Sequence, residues 1–331
     1  MTSTNFYLKI LVVGYGSIGK RHVNNLMKLK NVEILVCSKN KDANQLKKKG
    51  IQVYDSLIKC LNEKPDIAFV CNVTSLHVKT AIKLAQNGCH LFIEKPLSNS
   101  LTDINPLLTL IKKKKLITIV GCNLRFHKCI QEIKKILQHN EIGRVISVRV
   151  ESGSYLPNWH TWEDYRDVYF SKKKTGACRE MFAFELGWLA FALGLPEVTA
   201  ISGTTAKLSD LDMSADDYYA ALIDFKRIKA TMVIDLLART PTRSLRVIGT
   251  DGVLEWDWLD YTLRVFRNKT WKTIELKKGQ SEKNYVTTED MYEAEIGAFL
   301  DAIRGKKKYP FTFAENHTYL KALYALEKNR I

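Results

Sequence analysis

Three observations predict an α/β protein made of a doubly wound parallel sheet and a second, α+β domain with a large, mostly antiparallel open sheet. The chain has 331 residues, and a single hydrophobic core rarely grows beyond about 250–300 residues. Up to about residue 122, short β-branched runs alternate with helix-period segments, the pattern of parallel strands covered on both faces. From Val198 to Leu276 strand-like runs follow one another with only turns between them, which implies antiparallel neighbours. The expected domains are therefore 1–122 and 123–331.

The first half contains the runs Leu8–Val13, Glu33–Cys37, Ile51–Tyr54, Asp66–Asn72, His90–Glu94 and Leu116–Gly121. Between them, apolar residues recur at helical spacing: Val23, Leu26 and Met27, then Leu57, Ile58 and Leu61, then Val78, Ala81, Ile82 and Ala85. Gly88 closes the last of these as a helix-ending glycine. A helix over 128–139 leads into the strand Ile146–Ser152, an aromatic and charged loop to about residue 174, and a helix over Arg179–Leu193. The strands Val198–Thr204, Tyr218–Phe225, Lys229–Leu236, Leu245–Gly249, Val253–Trp258, Thr262–Phe266 and Thr270–Leu276 follow, with turn signals such as Thr250-Asp251-Gly252 and Arg267-Asn268-Lys269. Helices near 289–304, stopped by Gly305, and near 314–329 close the chain.

Lys and Arg total 51 against 35 Asp and Glu, a formal charge of +16. Such a charge points either to phosphorylated ligands, nucleic acid or acidic membrane, or to lysine bias over the whole surface. The basic runs Lys47–Lys49, Lys112–Lys115, Lys172–Lys174 and Lys306–Lys308 are short and scattered, forming no arm or stripe, so neither nucleic acid nor membrane is expected as a partner. No stretch reaches the ~18 apolar residues needed to span a bilayer. The seven Cys are dispersed with no CxxC and no paired His spacing. That usage predicts reduced thiols in a cytoplasmic protein, with no metal site.

The strongest local signal is Gly14-Tyr15-Gly16-Ser17-Ile18-Gly19, after the strand Ile10–Val13 and before an amphipathic helix. Gly14 permits the tight turn, Gly16 lets a pyrophosphate approach the backbone, and Gly19 lets helix pack on strand. The N–H groups at Ser17 and Ile18 then open a helix whose positive end favours phosphate. Together these predict a dinucleotide-binding (Rossmann) domain. At the end of the second strand, NAD sites usually carry a carboxylate for the ribose 2′-OH. Here Val36-Cys37-Ser38-Lys39-Asn40 offers none before Asp42. Ser38 can donate to a 2′-phosphate and Lys39 can pair with it, so NADP(H) is favoured over NAD(H). The alternative is that Lys39 is a solvated loop residue.

Two further motifs carry the reading past the fold. Glu94-Lys95-Pro96 ends the fifth strand, at the carboxyl edge where ligands of such sheets bind, and Gly121-Cys122-Asn123-Leu124-Arg125-Phe126 ends the next. With the glycine loop extended as Gly19-Lys20-Arg21-His22, the set resembles the Gfo/Idh/MocA oxidoreductases over essentially the whole chain. The resemblance implies a C-terminal domain whose open sheet builds homodimers or homotetramers. It also implies hydride transfer between a nicotinamide and a hydroxyl-bearing carbon of a sugar, cyclitol or nucleotide sugar. By position, Lys95 matches the family's lysine beside the nicotinamide and the reacting hydroxyl, flanked by Glu94. Asn72, Thr74 and His77 match the cofactor-lining loop, although His77 could equally be a helix-start residue satisfied by backbone. Asn123 and Arg125 fall among the expected substrate contacts.

The loop from Gly153 through Tyr155, Trp159 and His160 to Tyr165 and Arg166 resembles the substrate loop of a branch found with surface-sugar pathways. Aromatics stack on sugar faces, and His and Arg bind hydroxyl, carboxylate or phosphate groups. Packing between domains would account for the same aromatics. One stretch departs from the family pattern: Glu180 stands for an Asp, Phe184 for a His that often carries the proton, and Gly187 for a second Asp. Phenylalanine cannot carry a proton. Three readings follow: Lys95 works with His160 or Tyr165, Glu180 or Glu185 takes over, or the chain binds cofactor without chemistry. The stretch Asp235…Arg239…Arg243 is either an anion-holding segment for the substrate or a solvated loop.

Overall fold

The computed structural model describes residues 7–159, 161, 163–194, 197–281, 287–308 and 311–329. By its internal packing the chain divides into two compact units, Met1–Gly121 with Tyr292–Ala314, and Cys122–Met291 with Glu315–Ile331.

The first unit holds a six-stranded sheet built from β1 (Leu8–Val13), β2 (Val32–Cys37), β3 (Gln52–Tyr54), β4 (Ile67–Val70), β5 (His90–Ile93) and β6 (Thr118–Val120), in the order β3-β2-β1-β4-β5-β6. All its neighbours are parallel. The intervening helices are α1 (Ser17–Leu26), α2 (Leu57–Asn62), α3 (His77–Gln86) and α4 (Ile104–Lys114). Ile10, Leu11, Val12, Ala68, Phe69 and Phe92 are fully buried, as strands covered on both faces require. The strand order reverses between β1 and β4, so the crevice for a ligand opens where these two strands end. Residues 292–314 complete this core from far along the chain: the ring of Phe299 stands edge-on to the stacked pair Phe69 and Phe92, at 6.0 and 5.9 Å.

The second unit contains α5 (Lys128–Gln138), β7 (Val145–Gly153), α6 (Ala177–Leu193), β8 (Ala200–Ala206), β9 (Tyr218–Phe225), β10 (Ile228–Asp235), β11 (Thr242–Gly249), β12 (Gly252–Asp257), β13 (Thr262–Arg267) and β14 (Thr270–Glu275). α7 (Glu289–Ile303) and α8 (Phe313–Lys328) each cross the boundary between units. The eight strands form one sheet in the order β14-β13-β12-β11-β7-β10-β9-β8. Every pair is antiparallel except β7 with β10, which run parallel from Ser147↔Lys229 to Gly153↔Asp235. Strands such as β10 alternate buried Ala230, Met232 and Ile234 with exposed Lys229 and Thr231, so one face is the core face and the other is open. Helix α6 lies against β9 and β10 on the core face. It is buried almost all round, with Phe182, Leu186, Trp188 and Leu189 at 0% exposure, as expected of a helix inside a core.

Candidate functional site

The glycine motif builds the first part of the site where β1 passes into α1. Gly14 has φ +99°, and a Cβ placed there would lie 2.6 Å from the Cys71 carbonyl oxygen and 2.7 Å from the Asn72 nitrogen. The ends of β1 and β4 therefore approach so closely that only glycine fits. A Cβ on Gly19 would stand 2.2 Å from the Gly14 carbonyl oxygen, which is how α1 is brought down onto its own strand. Gly16 is different: its Cβ direction meets nothing within 4 Å. No side chain caps α1, and its first turn carries no acidic residue. Beside the turn, the Asn72 side chain donates to Thr80 Oγ1 at 3.0 Å, and its buried Oδ1 has no hydrogen-bond partner. An open glycine face, an uncapped helix start and an unsatisfied amide oxygen fit a dinucleotide laid across the turn.

At the end of β2, Ser38 Oγ accepts from the Asn40 N–H at 3.0 Å, which leaves its own proton free to be donated outward. Asn40 in turn donates to the Tyr15 carbonyl at 3.1 Å, tying this corner to the glycine turn. The nearest following carboxylate, Asp42, is drawn to Lys20 at 2.7 Å. An open depression of about 480 Å³ here is lined by Ser38, Lys39, Lys41, Lys47 and Lys59 among others. Its one carboxylate, Asp55, is paired to Lys59 at 3.0 Å.

Lys95 is half-buried just beyond β5. Its neighbour Glu94 is buried, with Oε1 2.6 Å from Nε2 of the fully buried His22 and Oε2 accepting the Lys95 N–H at 3.3 Å. Burial pushes the Glu94 carboxyl up, but the His22 contact and the Lys95 charge outweigh it, and the net direction is down. His77 places Nδ1 2.9 Å from the Pro96 carbonyl and Nε2 2.9 Å from the Asn72 carbonyl. Both ring nitrogens thus face backbone, so His77 ties the loop after β4 to the loop after β5. Burial holds its pKa below the usual value. Thr74, also buried, sits in the same loop as Asn72. His22 was not among the candidates; its signal was its place three residues after Gly19, on the helix face that turns toward the sheet.

In the second unit the expected substrate residues separate. Arg125 is 1% exposed and turned inward, donating to the Gly187 carbonyl at 2.7 Å and to Glu315 at 2.8 Å. Its guanidinium is thus engaged in an ion pair with Glu315. Glu185 is fully buried and takes Arg243 at 2.7 Å, Trp188 at 2.5 Å and Ser152 at 3.2 Å. Its acceptor capacity is filled, which removes Glu185 as a mobile proton carrier and Arg243 as an anion site. Asp235 Oδ1 accepts from the Leu237 and Ala238 N–H groups and holds that turn. Arg239 remains exposed, its guanidinium 3.7 Å from the centre of the Tyr155 ring. Trp159 donates to Ser154 at 2.7 Å and packs on Phe170. The Tyr165 hydroxyl accepts the Asp212 N–H at 3.1 Å, and Arg166 grips Asp164. Asn123 and Glu180 are buried, at 5% and 6% exposure. Phe184 is likewise buried on α6, a helix-face residue against the core. His160 lies outside the described residues. No helix among the described residues is long and apolar enough to cross a membrane.

Comparison with known proteins bears on the family and the fold. The chain is 26% identical to "Uncharacterized oxidoreductase YrbE" of Bacillus subtilis, over 91% of its own length and 88% of the relative's. It is 29% identical to the myo-inositol 2-dehydrogenase of Thermotoga maritima, over 45% of this chain and 46% of that one. The WlbA dehydrogenase of Bordetella pertussis, solved in complex with NADH and UDP-GlcNAcA, superposes with a TM-score of 0.81 over 98% of this chain and 96% of its own, at 19% identity; a likeness that low in identity speaks for the fold alone. Residues 8–122 match the oxidoreductase family with an NAD-binding Rossmann fold, and residues 130–255 match the GFO/IDH/MocA C-terminal domain. Glycine cradle, Glu-Lys-Pro corner and both domain matches converge: the chain belongs to the Gfo/Idh/MocA oxidoreductases.

Proposed function

We propose that the chain is an NADP(H)-preferring dehydrogenase or reductase acting on a sugar or nucleotide sugar of surface-glycan metabolism. Residues 1–122 would carry the cofactor and 123–331 the substrate and the contacts of a homodimer or homotetramer. The observation that carries this reading is Lys95, set beside a buried, hydrogen-bonded carboxylate at the edge of the sheet where ligands bind. When bound, the cofactor supplies or accepts the hydride at its nicotinamide carbon. The chain's own residues do the rest. Gly14, Gly16 and the N–H groups of Ser17 to Gly19 seat the pyrophosphate, and Asn72 and Thr74 border the nicotinamide half. Ser38 and Lys39, within their lysine-lined depression, favour a 2′-phosphate. Lys95 takes the proton from the reacting hydroxyl, or returns it, through its ε-amine. Asn123, Tyr155, Trp159 and Glu180 are the remaining candidates for orienting the sugar, and His160 or Tyr165 for sharing the proton. The relative named for myo-inositol supports a polyhydroxylated substrate.

Phe184 in place of a proton-carrying residue favours a second reading, a family member with a changed reaction or none. One experiment separates the two. Sugars, uronic acids and nucleotide sugars are offered with NADP(H) and with NAD(H), and absorbance at the nicotinamide band is followed for wild type and Lys95→Met. Turnover with at least one sugar, lowered about 10²–10⁴-fold by the substitution, is the expected result. Cofactor binding without turnover across the whole panel would instead support the second reading.

A further inference from the structure

We infer that His22 is a positioning residue for Lys95: from the first helix it fixes the buried Glu94 carboxylate, as an anion, beside the lysine. This rests on the reading that Lys95 handles the substrate proton. His22 follows Gly19 by three residues and so shares its helix face, which is pressed onto the sheet. The ring enters an apolar cage, with centroids 5.2 Å from Phe69, 5.0 Å from Phe92 and 6.2 Å from Tyr292, and has no exposure to solvent. An aliphatic or phenyl side chain would suit such a cage better. The imidazole makes one hydrogen bond there, Nε2 to Glu94 Oε1 at 2.6 Å, and its Nδ1 has no partner among the described residues. A buried polar atom left unsatisfied costs about 1–3 kcal/mol, so apolar packing alone does not account for a histidine here. Against an ionised Glu94, Nε2 is the atom that donates in this contact, because a carboxylate oxygen can only accept.

Glu94 is held on three sides. His22 binds one oxygen, the Lys95 N–H binds the other at 3.3 Å, and Gly121 leaves the room, since a Cβ there would stand 3.3 Å from both oxygens. The other titratable groups whose charges act with Glu94 are Cys71 after β4 and His77 on α3. Burial pushes the Cys71 thiol well up and the His77 imidazole down, so both are uncharged near neutral pH. Arg21, the neighbour of His22 on α1, lies over the Tyr292 ring, 4.0 Å from its centre. The Lys95 charge, with the His22 contact, is among the causes that hold the Glu94 carboxyl down. The same short helix therefore carries the pyrophosphate turn at its start and, at its sixth residue, the hold on the lysine corner.

The test reads Lys95 directly and needs neither substrate nor cofactor. The intact chain is labelled with a trace acylating reagent across pH, and the extent at Lys95 is read by mass spectrometry in wild type, His22→Leu, His22→Gln and Glu94→Gln. In His22→Leu and Glu94→Gln the labelling midpoint of Lys95 is expected to fall by about one pH unit, because the fixed counter-charge is weakened or gone. His22→Gln, whose amide Nε2 can donate from nearly the same place, restores most of the wild-type midpoint. An unchanged midpoint in folded His22→Leu overturns the inference, as does a His22→Gln midpoint no closer to wild type than that of His22→Leu. Should His22→Leu not fold, the isosteric Glu94→Gln decides, and an unmoved midpoint there is equally fatal. A sugar panel without turnover would count against the proposed activity and leave this measurement readable.

Discussion

The three glycines of the turn face three different neighbours, and a methyl group added to each should therefore do different things. At Gly19 it would meet the Gly14 carbonyl at 2.2 Å, backbone that cannot move aside without lifting the helix from its strand. Gly19→Ala is expected to destabilise the fold by about 1–3 kcal/mol, as overpacking does. At Gly16 the same methyl meets nothing within 4 Å, and the backbone there has an ordinary φ of −83°. Gly16→Ala should leave stability within about 0.5 kcal/mol, yet it fills the space above the helix start where the proposed pyrophosphate would sit. Urea unfolding paired with fluorescence titration of NADPH would show this separation: normal stability with affinity lowered about tenfold or more at Gly16, lost stability at Gly19. Equal effects on both quantities at both positions would remove the reason for assigning phosphate contact to Gly16.

At the scale of elements, the second unit is tied together through α6. Glu185 on that helix, at 0% side-chain exposure, receives Arg243 from β11 and Ser152 from β7. Removing one partner strands the other in a low-dielectric site. Arg243→Leu is expected to cost about 3–5 kcal/mol, whereas Glu185→Leu with Arg243→Leu together should recover most of it. A double-mutant cycle in urea checks this, and additive costs would mean the two groups do not depend on each other. The same pair shows where sequence reading stops. β1 was legible to the residue, because an unbroken apolar run bounded by a glycine turn has one sensible fate, and α6 began only two residues before its expected start. Glu185 was ambiguous, since a carboxylate in an apolar helix is either reactive or paired, and its partner lies 58 residues away on a strand. Arg125 was ambiguous for the same reason, its carboxylate being Glu315, 190 residues on. The parallel pairing of β7 with β10 was hidden too, because periodicity reports which face a strand buries and says nothing of which strand it meets.

For the molecule as a whole, the +16 charge is less telling than the direction in which its buried groups titrate. Burial lowers the pKa of His77, His90, His127 and His317. Glu94 and Asp217 are net lowered as well: burial pushes both up, but hydrogen bonds and nearby positive charge outweigh it. Each such group binds more protons unfolded than folded, so all six make the fold weaken as pH falls. His127 sets the size. Burial, and then the nearby Arg243 charge, pull it from 6.5 to about 4. Its contribution is fully present above about pH 6.5 and is lost as pH drops through 4, up to about 3 kcal/mol. The residue accepts the Cys129 N–H at Nδ1, at 3.2 Å, and its ring lies 5.5 Å from that of Trp256. All six Trp fall between residues 159 and 271, inside the second unit, so their fluorescence reports on the unit that contains His127. Urea midpoints read by that fluorescence should fall steeply between pH 6.5 and 4.5. His127→Asn keeps an acceptor near Nδ1 but cannot titrate, so its midpoint should be lower at pH 7 and lose less on acidification. If the wild-type slope persists in His127→Asn, the acid sensitivity of this unit arises elsewhere, and Asp217 becomes the next group to remove.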